Sequence, residues 1–136
     1  SLKGYSIKRA LVFLKCNFAE NSIMAIAHTS DISLKIGLDD NKVPESITWN
    51  APDSGVENAK TKATMLSVWD DKTQETLRID LWTKEMPMDQ MKKFIHQNIM
   101  ALADTLERAG GEAELAKELR DYSLELGEKM NVIKRG

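Results

Sequence analysis

The chain has 136 residues, of which 42% are hydrophobic and 29% are charged, and this is the size and composition of one globular domain. Its formal net charge of −2 argues against a protein that binds nucleic acid or an anionic membrane surface through overall positive charge. Cys16 is the single cysteine, so the fold does not depend on an internal disulfide, which fits the cytoplasm.

Residues 1–23 differ from the rest of the chain because they carry four basic residues against one acidic residue, Glu20. Basic residues precede the apolar run Ala10–Leu14, as in a secretory signal peptide. Lys15 ends that run after five residues, however, and no small-residue cleavage site follows. We therefore expect a cytoplasmic protein without membrane insertion, with the periplasm as the alternative location. We interpret residues 1–23 as a leader, either upstream or vector-derived sequence, and residues 24–136 as a single α+β domain.

The first predicted elements of the domain form a hairpin. Hydrophobic and polar residues alternate strictly over Asp31–Leu38, which predicts a half-buried strand. Asp39–Glu45 consists of residues that favour turns. Ser46–Asn50 then predicts a short strand that pairs back on the first, with its two large apolar side chains on one face. Ala51–Asn58 contains proline, serine and glycine and is predicted as a loop.

A second hairpin is predicted from Lys60–Asp70 and Glu75–Lys84, joined by a four-residue turn. A helix over Asn58–Trp69 is the alternative for the earlier part. In the later strand the alternation predicts that three residues face the core: Leu77, Ile79 and Leu81. The residues predicted on the opposite face are Thr76, Arg78, Asp80 and Trp82.

Two amphipathic helices are predicted after the second hairpin. Pro87 fits the first turn of a helix, and hydrophobic residues then recur at spacings of three and four. Gly110 and Gly111 predict its end, and a second helix is predicted from Glu112 to about Val132. We expect an antiparallel helix pair that packs on one face of a four-stranded antiparallel sheet made of the two hairpins, which is an α+β fold.

Catalytic and metal-binding chemistry finds little support in the sequence. His28, His96 and Cys16 are too few for a zinc site of nitrogen and sulfur ligands, and His96 is interpreted as a surface or boundary residue. Residues 39–41 lack the glycine and the distal glutamate of a calcium loop. The carboxylates near the second hairpin lie at a turn or on alternate faces, so they do not converge as an acid–base pair. We predict no catalytic residue, no metal site and no cofactor, and we expect that the protein is not an enzyme.

Trp82 is the strongest candidate for a functional residue. The alternation places it opposite the predicted core face, beside Arg78 and Asp80. If helices cover only the core face, Trp82 is partly exposed, and exposed aromatic residues with arginine are typical of partner surfaces. We therefore predict an interface formed by Arg78, Asp80 and Trp82. The other two tryptophans, Trp49 and Trp69, are predicted as core or core-edge residues.

Three stretches of the sequence together resemble the GldC family of gliding-motility-associated proteins: DISLKIGLDDNKVPESITWNA, GVENAKTKATMLSVWDDKTQETLRIDLWTKEMPMDQMKKF and MALADTLERA. The resemblance runs from about Asp31 into the last helix. It implies an accessory protein of the surface-gliding machinery, with no known enzymatic activity and no cofactor. Its partners are then other gliding-machinery proteins or a second copy of the chain. The alternative is a small-molecule-binding protein or enzyme with a pocket between sheet and helices.

Overall fold

The structure is a computed structural model that describes residues 25–134. The predicted leader, residues 1–23, and Cys16 lie outside the described residues. The chain forms two compact units, which divide between Glu85 and Met86. Strands build the described part of the first unit and helices build that of the second, so the predicted α+β class is confirmed.

Within residues 25–85 the first unit contains five strands in two antiparallel sheets. The larger sheet has the strand order β1-β2-β3, with bounds Ser33–Leu38, Pro44–Ala51 and Val56–Thr61. The smaller sheet pairs β4 (Ala63–Asp70) with β5 (Glu75–Trp82). A short 3-10 turn, Pro52–Ser54, joins β2 to β3.

The prediction of four strands in one sheet is wrong, because the strand predicted to start at Lys60 is divided. Val56–Thr61 is a strand of its own that pairs with β2, and β4 begins only at Ala63. The hydroxyl of Thr61 donates to the carbonyl of Ala63 at 3.0 Å, and this local bond holds a bend between the two strands. Gly55, at φ 76°, closes the preceding turn in a conformation that glycine adopts without strain. The helical alternative for this stretch is also wrong.

The register of the larger sheet gathers apolar side chains on one face. Ile47 lies directly opposite Ile36 on one side and Thr61 on the other. Trp49 shares the face of Ile47, as predicted for the two large apolar side chains of this strand. Ile47 is only 1% exposed, whereas Leu38, at the end of β1, is exposed. β1 is less buried than its alternation predicted, because within residues 25–134 it is an edge strand with a neighbour, β2, on one side only.

The turn between β1 and β2 is built on Asp39. Its carboxylate accepts hydrogen bonds from the backbone N–H groups of Asn41, at 2.8 Å, and Val43, at 2.9 Å. The ammonium group of Lys84, which follows β5, contacts the same carboxylate and lies 3.4 Å from a carboxylate oxygen of Glu45. The bond from Lys84, followed by that from Val43, holds the pKa of Asp39 below its usual value, and the same contact raises the pKa of Lys84. The predicted turn is confirmed.

The second unit is the predicted antiparallel helix pair. α1 (Met88–Gly110) begins directly after Pro87 and is capped by Gly111, which has φ 67° and donates its N–H to the carbonyl of Glu107 at 3.1 Å. After a two-residue connection, α2 (Ala113–Lys129) returns alongside α1. The packing of this pair on a sheet stays a prediction.

Small residues let the two helices approach closely. The buried positions between them include Ala103 on α1 and Ala116, Ser123 and Gly127 on α2. His96, at 5% exposure, fits against Gly127, where a β-carbon would lie 2.7 Å from its Nε2. A carbonyl only accepts, so His96 Nε2 donates to the carbonyl of Ser123 at 3.0 Å. The prediction of His96 as a surface or boundary residue is wrong. The hydrophobic pattern of α1 alone does not show that Gly127 on α2 leaves space for the ring.

Candidate protein-interaction surface

The β4–β5 hairpin has an unbroken register. Its pairs continue from the turn, where Asp70 lies opposite Glu75, to the far end, where Ala63 lies opposite Trp82. The backbone N–H of Gln74 donates to the carbonyl of Asp70 at 2.9 Å and closes the turn. The predicted four-residue turn is confirmed, and it fixes which residues of the two strands lie opposite each other.

The register gives the hairpin two different faces, because residues directly opposite each other in an antiparallel pair share a face. We call one of them the tryptophan face; it carries Ala63, Met65, Ser67, Trp69, Thr76, Arg78, Asp80 and Trp82. We call the other one the aliphatic face; it carries Leu66, Val68, Leu77, Ile79 and Leu81, with Thr64, Asp70 and Glu75 towards its ends.

The three residues predicted as an interface lie together on the tryptophan face. Arg78, Asp80 and Trp82 occupy alternate positions of β5, and Arg78 Nη2 lies 3.0 Å from Asp80 Oδ1. Among the described residues, Trp82 is 53% exposed. The ion pair is exposed as well, and a pair of this kind is worth at most about 1 kcal/mol to the fold. The role of these side chains as an interface stays a prediction.

Trp69 is a member of the tryptophan face that the sequence reasoning missed. Its predicted place in the core or at the core edge is wrong, since the side chain is 60% exposed. It lies opposite Thr76, near the turn, and Trp82 lies at the other end of the same face. A signal for this placement is present in the sequence, because a four-residue turn that starts after Asp70 pairs Trp69 with Thr76 and so puts it on the face of Arg78.

The aliphatic face corrects another prediction. Leu77 and Ile79 are predicted to face the core, yet they are 52% and 53% exposed. Leu66 and Val68, which lie opposite them, are exposed too. Alternation grouped Leu77 and Ile79 on one face but did not reveal how that face is covered.

A second polar cluster lies near the start of the described chain. The imidazole of His28, at 2.8 Å, and the hydroxyl of Ser30 both contact the carboxylate of Asp53. Hydrogen bonds from Ser30 and His28 lower the pKa of Asp53. The cluster ties the segment before β1 to the turn after β2. Across residues 25–134, no group of three or more His, Cys, Asp or Glu side chains is arranged to hold a metal ion.

Residues 44–132, which run from β2 to just beyond α2, match the sequence model of a family described as gliding motility-associated protein GldC-like. Comparison with curated proteins and with solved structures gave no match. In the part of the chain that the structure describes, no helix has the length and apolar character needed to span a membrane. The matched region includes the whole β4–β5 hairpin and covers more than half of the sequence. The chain therefore belongs to the GldC-like family of gliding motility-associated proteins, in agreement with the resemblance found in its sequence.

Proposed function

We propose that this chain is a non-catalytic interaction module of the gliding machinery and that its tryptophan face docks a protein partner. Association with gliding motility follows from the family. The observation that carries the proposal is the exposure of two tryptophans, Trp69 at 60% and Trp82 at 53%, on one face of one hairpin. Tryptophan offers a large apolar surface that gains from being removed from water, and it is enriched among the residues that dominate binding energy at protein interfaces.

The charged residues between the two tryptophans also suit a protein partner. Arg78 and Asp80 lie between the rings along β5, and their ion pair is accessible to a second molecule. The arginine offers a planar set of donors and the aspartate offers acceptors, so the pair can select a partner with complementary polar groups. Aromatic anchors with a charged pair between them thus supply both binding energy and specificity. We assign the protein to the cytoplasm, which its single cysteine suits.

The proposal is tested in gliding cells that express Trp82→Ala in place of the natural chain. We expect reduced gliding at an unchanged protein level, because truncation of a central interface tryptophan weakens binding by about 2 kcal/mol or more, a factor of about 30. Ile32→Ala is the matched control, since Ile32 is 56% exposed and lies outside the hairpin. Normal gliding by the Trp82→Ala strain refutes the proposed docking.

Depletion of the wild-type chain separates an interaction module from a catalyst. A module must occupy its partner in stoichiometric amount, whereas an enzyme turns over many times. We therefore expect gliding to fall steeply once the copies of the chain per cell drop below those of the partner. Gliding that persists far below that level contradicts a non-catalytic role.

A further inference from the structure

Within residues 25–134, β5 is an edge strand with a regular hydrogen-bonding pattern. Among the described residues it pairs only with β4, and that ladder has no register shift. Both ladders of the larger sheet are irregular by contrast, at Gly37–Leu38 and at Trp49–Ala51. Bulges, prolines, shortened strands and charged side chains commonly prevent an edge from pairing with another chain. The eight residues of β5 include no bulge, proline or shortening, and the two charges at its centre, Arg78 and Asp80, have opposite signs. The outer edge of β5 can therefore accept a further strand.

The centre of β5 is self-complementary. Around Ile79, the positive residue Arg78 is balanced by the negative residue Asp80, and Leu77 is balanced by Leu81. When two identical strands pair antiparallel about Ile79, residues at equal distances before and after it lie opposite each other. Arg78 of each copy then faces Asp80 of the other, and Leu77 faces Leu81.

We propose that β5 of two copies of this chain pair in this way, forming a four-stranded sheet of the order β4-β5-β5-β4 about a two-fold axis at Ile79. A second copy of the chain is then one protein partner of the β4–β5 hairpin, so the proposal rests on the proposed function in treating this hairpin as an interaction surface. The two tryptophan faces of the dimer lie side by side, so each assembly presents the docking surface twice.

The pattern of charges selects this arrangement over the alternatives. A parallel in-register pair, or an antiparallel pair centred on Arg78, sets Arg78 of one copy against Arg78 of the other, which is repulsive. A shift of the antiparallel register by one residue sets Ile79 against Asp80 and mixes the two faces of the sheet. The edge of β4 lacks a comparable pattern, since Asp70 is the only charged residue of that strand.

Two properties of the single chain favour the pairing of the edges. The side chains of Arg78 and Asp80 are 47% and 39% exposed, so exchanging their ion pair for the same contacts between copies costs little. An isolated two-stranded hairpin is only marginally stable in water, whereas a sheet of three or more strands with a hydrophobic face can be stable on its own. Pairing doubles the aliphatic face, since Leu77 of each copy meets Leu81 of the other.

Sedimentation equilibrium of the full chain tests the proposal by measuring dimerisation of the wild type and of variants with reversed charges at positions 78 and 80. We expect a reversible dimer with a Kd below about 1 mM. Arg78→Glu alone and Asp80→Arg alone each turn two attractive cross-strand pairs into repulsive ones, and each is expected to weaken the dimer at least about tenfold. An equimolar mixture of the two variants is expected to recover a dimer, because both contacts between position 78 of one copy and position 80 of the other again join opposite charges. Lys72→Glu, in the turn, changes the charge as Arg78→Glu does and is expected to leave the dimer intact.

Several outcomes overturn the inference. One is a wild-type chain that remains monomeric up to about 1 mM. A dimer that survives both single variants, or a mixture that stays monomeric, overturns it equally. Circular dichroism of each variant separates lost association from lost folding. Failure of the dimer leaves the docking of another protein at Trp82 intact, whereas normal gliding by Trp82→Ala refutes that docking and leaves the dimer intact.

Discussion

Replacing Gly127 by alanine is expected to destabilise the helix pair, although alanine is the better helix former. The new β-carbon would lie 2.7 Å from His96 Nε2 and 3.0 Å from Ile133 Cδ1, inside ordinary contact distance. His96 cannot move aside without cost, because its Nε2 donates to the carbonyl of Ser123. Overpacking of this kind costs about 1–3 kcal/mol, and the gain in helix propensity offsets about 1 kcal/mol of it. We expect a net loss of about 1 kcal/mol in the free energy of unfolding.

Urea unfolding followed by far-ultraviolet circular dichroism measures this loss, and Gly110→Ala is the matched control. A β-carbon at Gly110 meets Leu106 Cδ1 at 3.4 Å, an ordinary contact, so that variant is expected to be unchanged or stabilised by up to about 1 kcal/mol. In a His96→Ala background, Gly127→Ala is expected to lose most of its penalty, because the imidazole is gone. Equal stability of Gly127→Ala and Gly110→Ala in the natural background refutes the reasoning.

Three further predictions concern the first unit. Ile47→Ala is expected to lower the free energy of unfolding by about 2–5 kcal/mol in urea titrations, because the side chain is 1% exposed; a loss below about 1 kcal/mol contradicts its place in the core. Trp82→Ala is expected to change the free energy of unfolding by no more than about 1 kcal/mol, since the ring is exposed. Lys84→Met removes the cation whose contact lowers the pKa of Asp39 below its usual value of 3.8. In the wild type, the stabilisation from this contact is present above pH 3.8 and is lost as the pH falls through the lowered pKa of the folded state. The difference in Tm between wild type and Lys84→Met is expected to shrink in acid, and a constant difference contradicts the assignment.

Elements whose signals are local could be predicted from the sequence. Pro87 and Gly111 mark the two ends of α1, because each fixes the backbone at its own position. The turn after Asp70 is equally local, since its hydrogen bonds join residues at most four apart. The division between β3 and β4 could not be predicted, because it depends on the hydroxyl of Thr61 bonding to the chain rather than on a break in the apolar pattern.

Burial could not be predicted where it depends on residues far apart in the sequence. His96 is buried because Ser123 and Gly127 on the other helix leave room for its ring. Leu77 is 52% exposed although alternation places it correctly beside Ile79, because a local pattern shows which residues share a face but not what covers that face. The three interface residues predicted on β5 share a face because strand alternation is itself local, whereas Trp69 joins them only through the cross-strand register.

Photo-crosslinking from position 82 in gliding cells tests most directly whether the tryptophan face docks a protein. A photoreactive phenylalanine derivative replaces Trp82 in one strain and Ile32, exposed outside the hairpin, in another. Docking predicts a discrete protein adduct from position 82 that is absent from position 32, and mass spectrometry then shows whether the captured protein is a second copy or a different chain. No adduct from position 82, or the same set of adducts from both positions, contradicts docking at the tryptophan face.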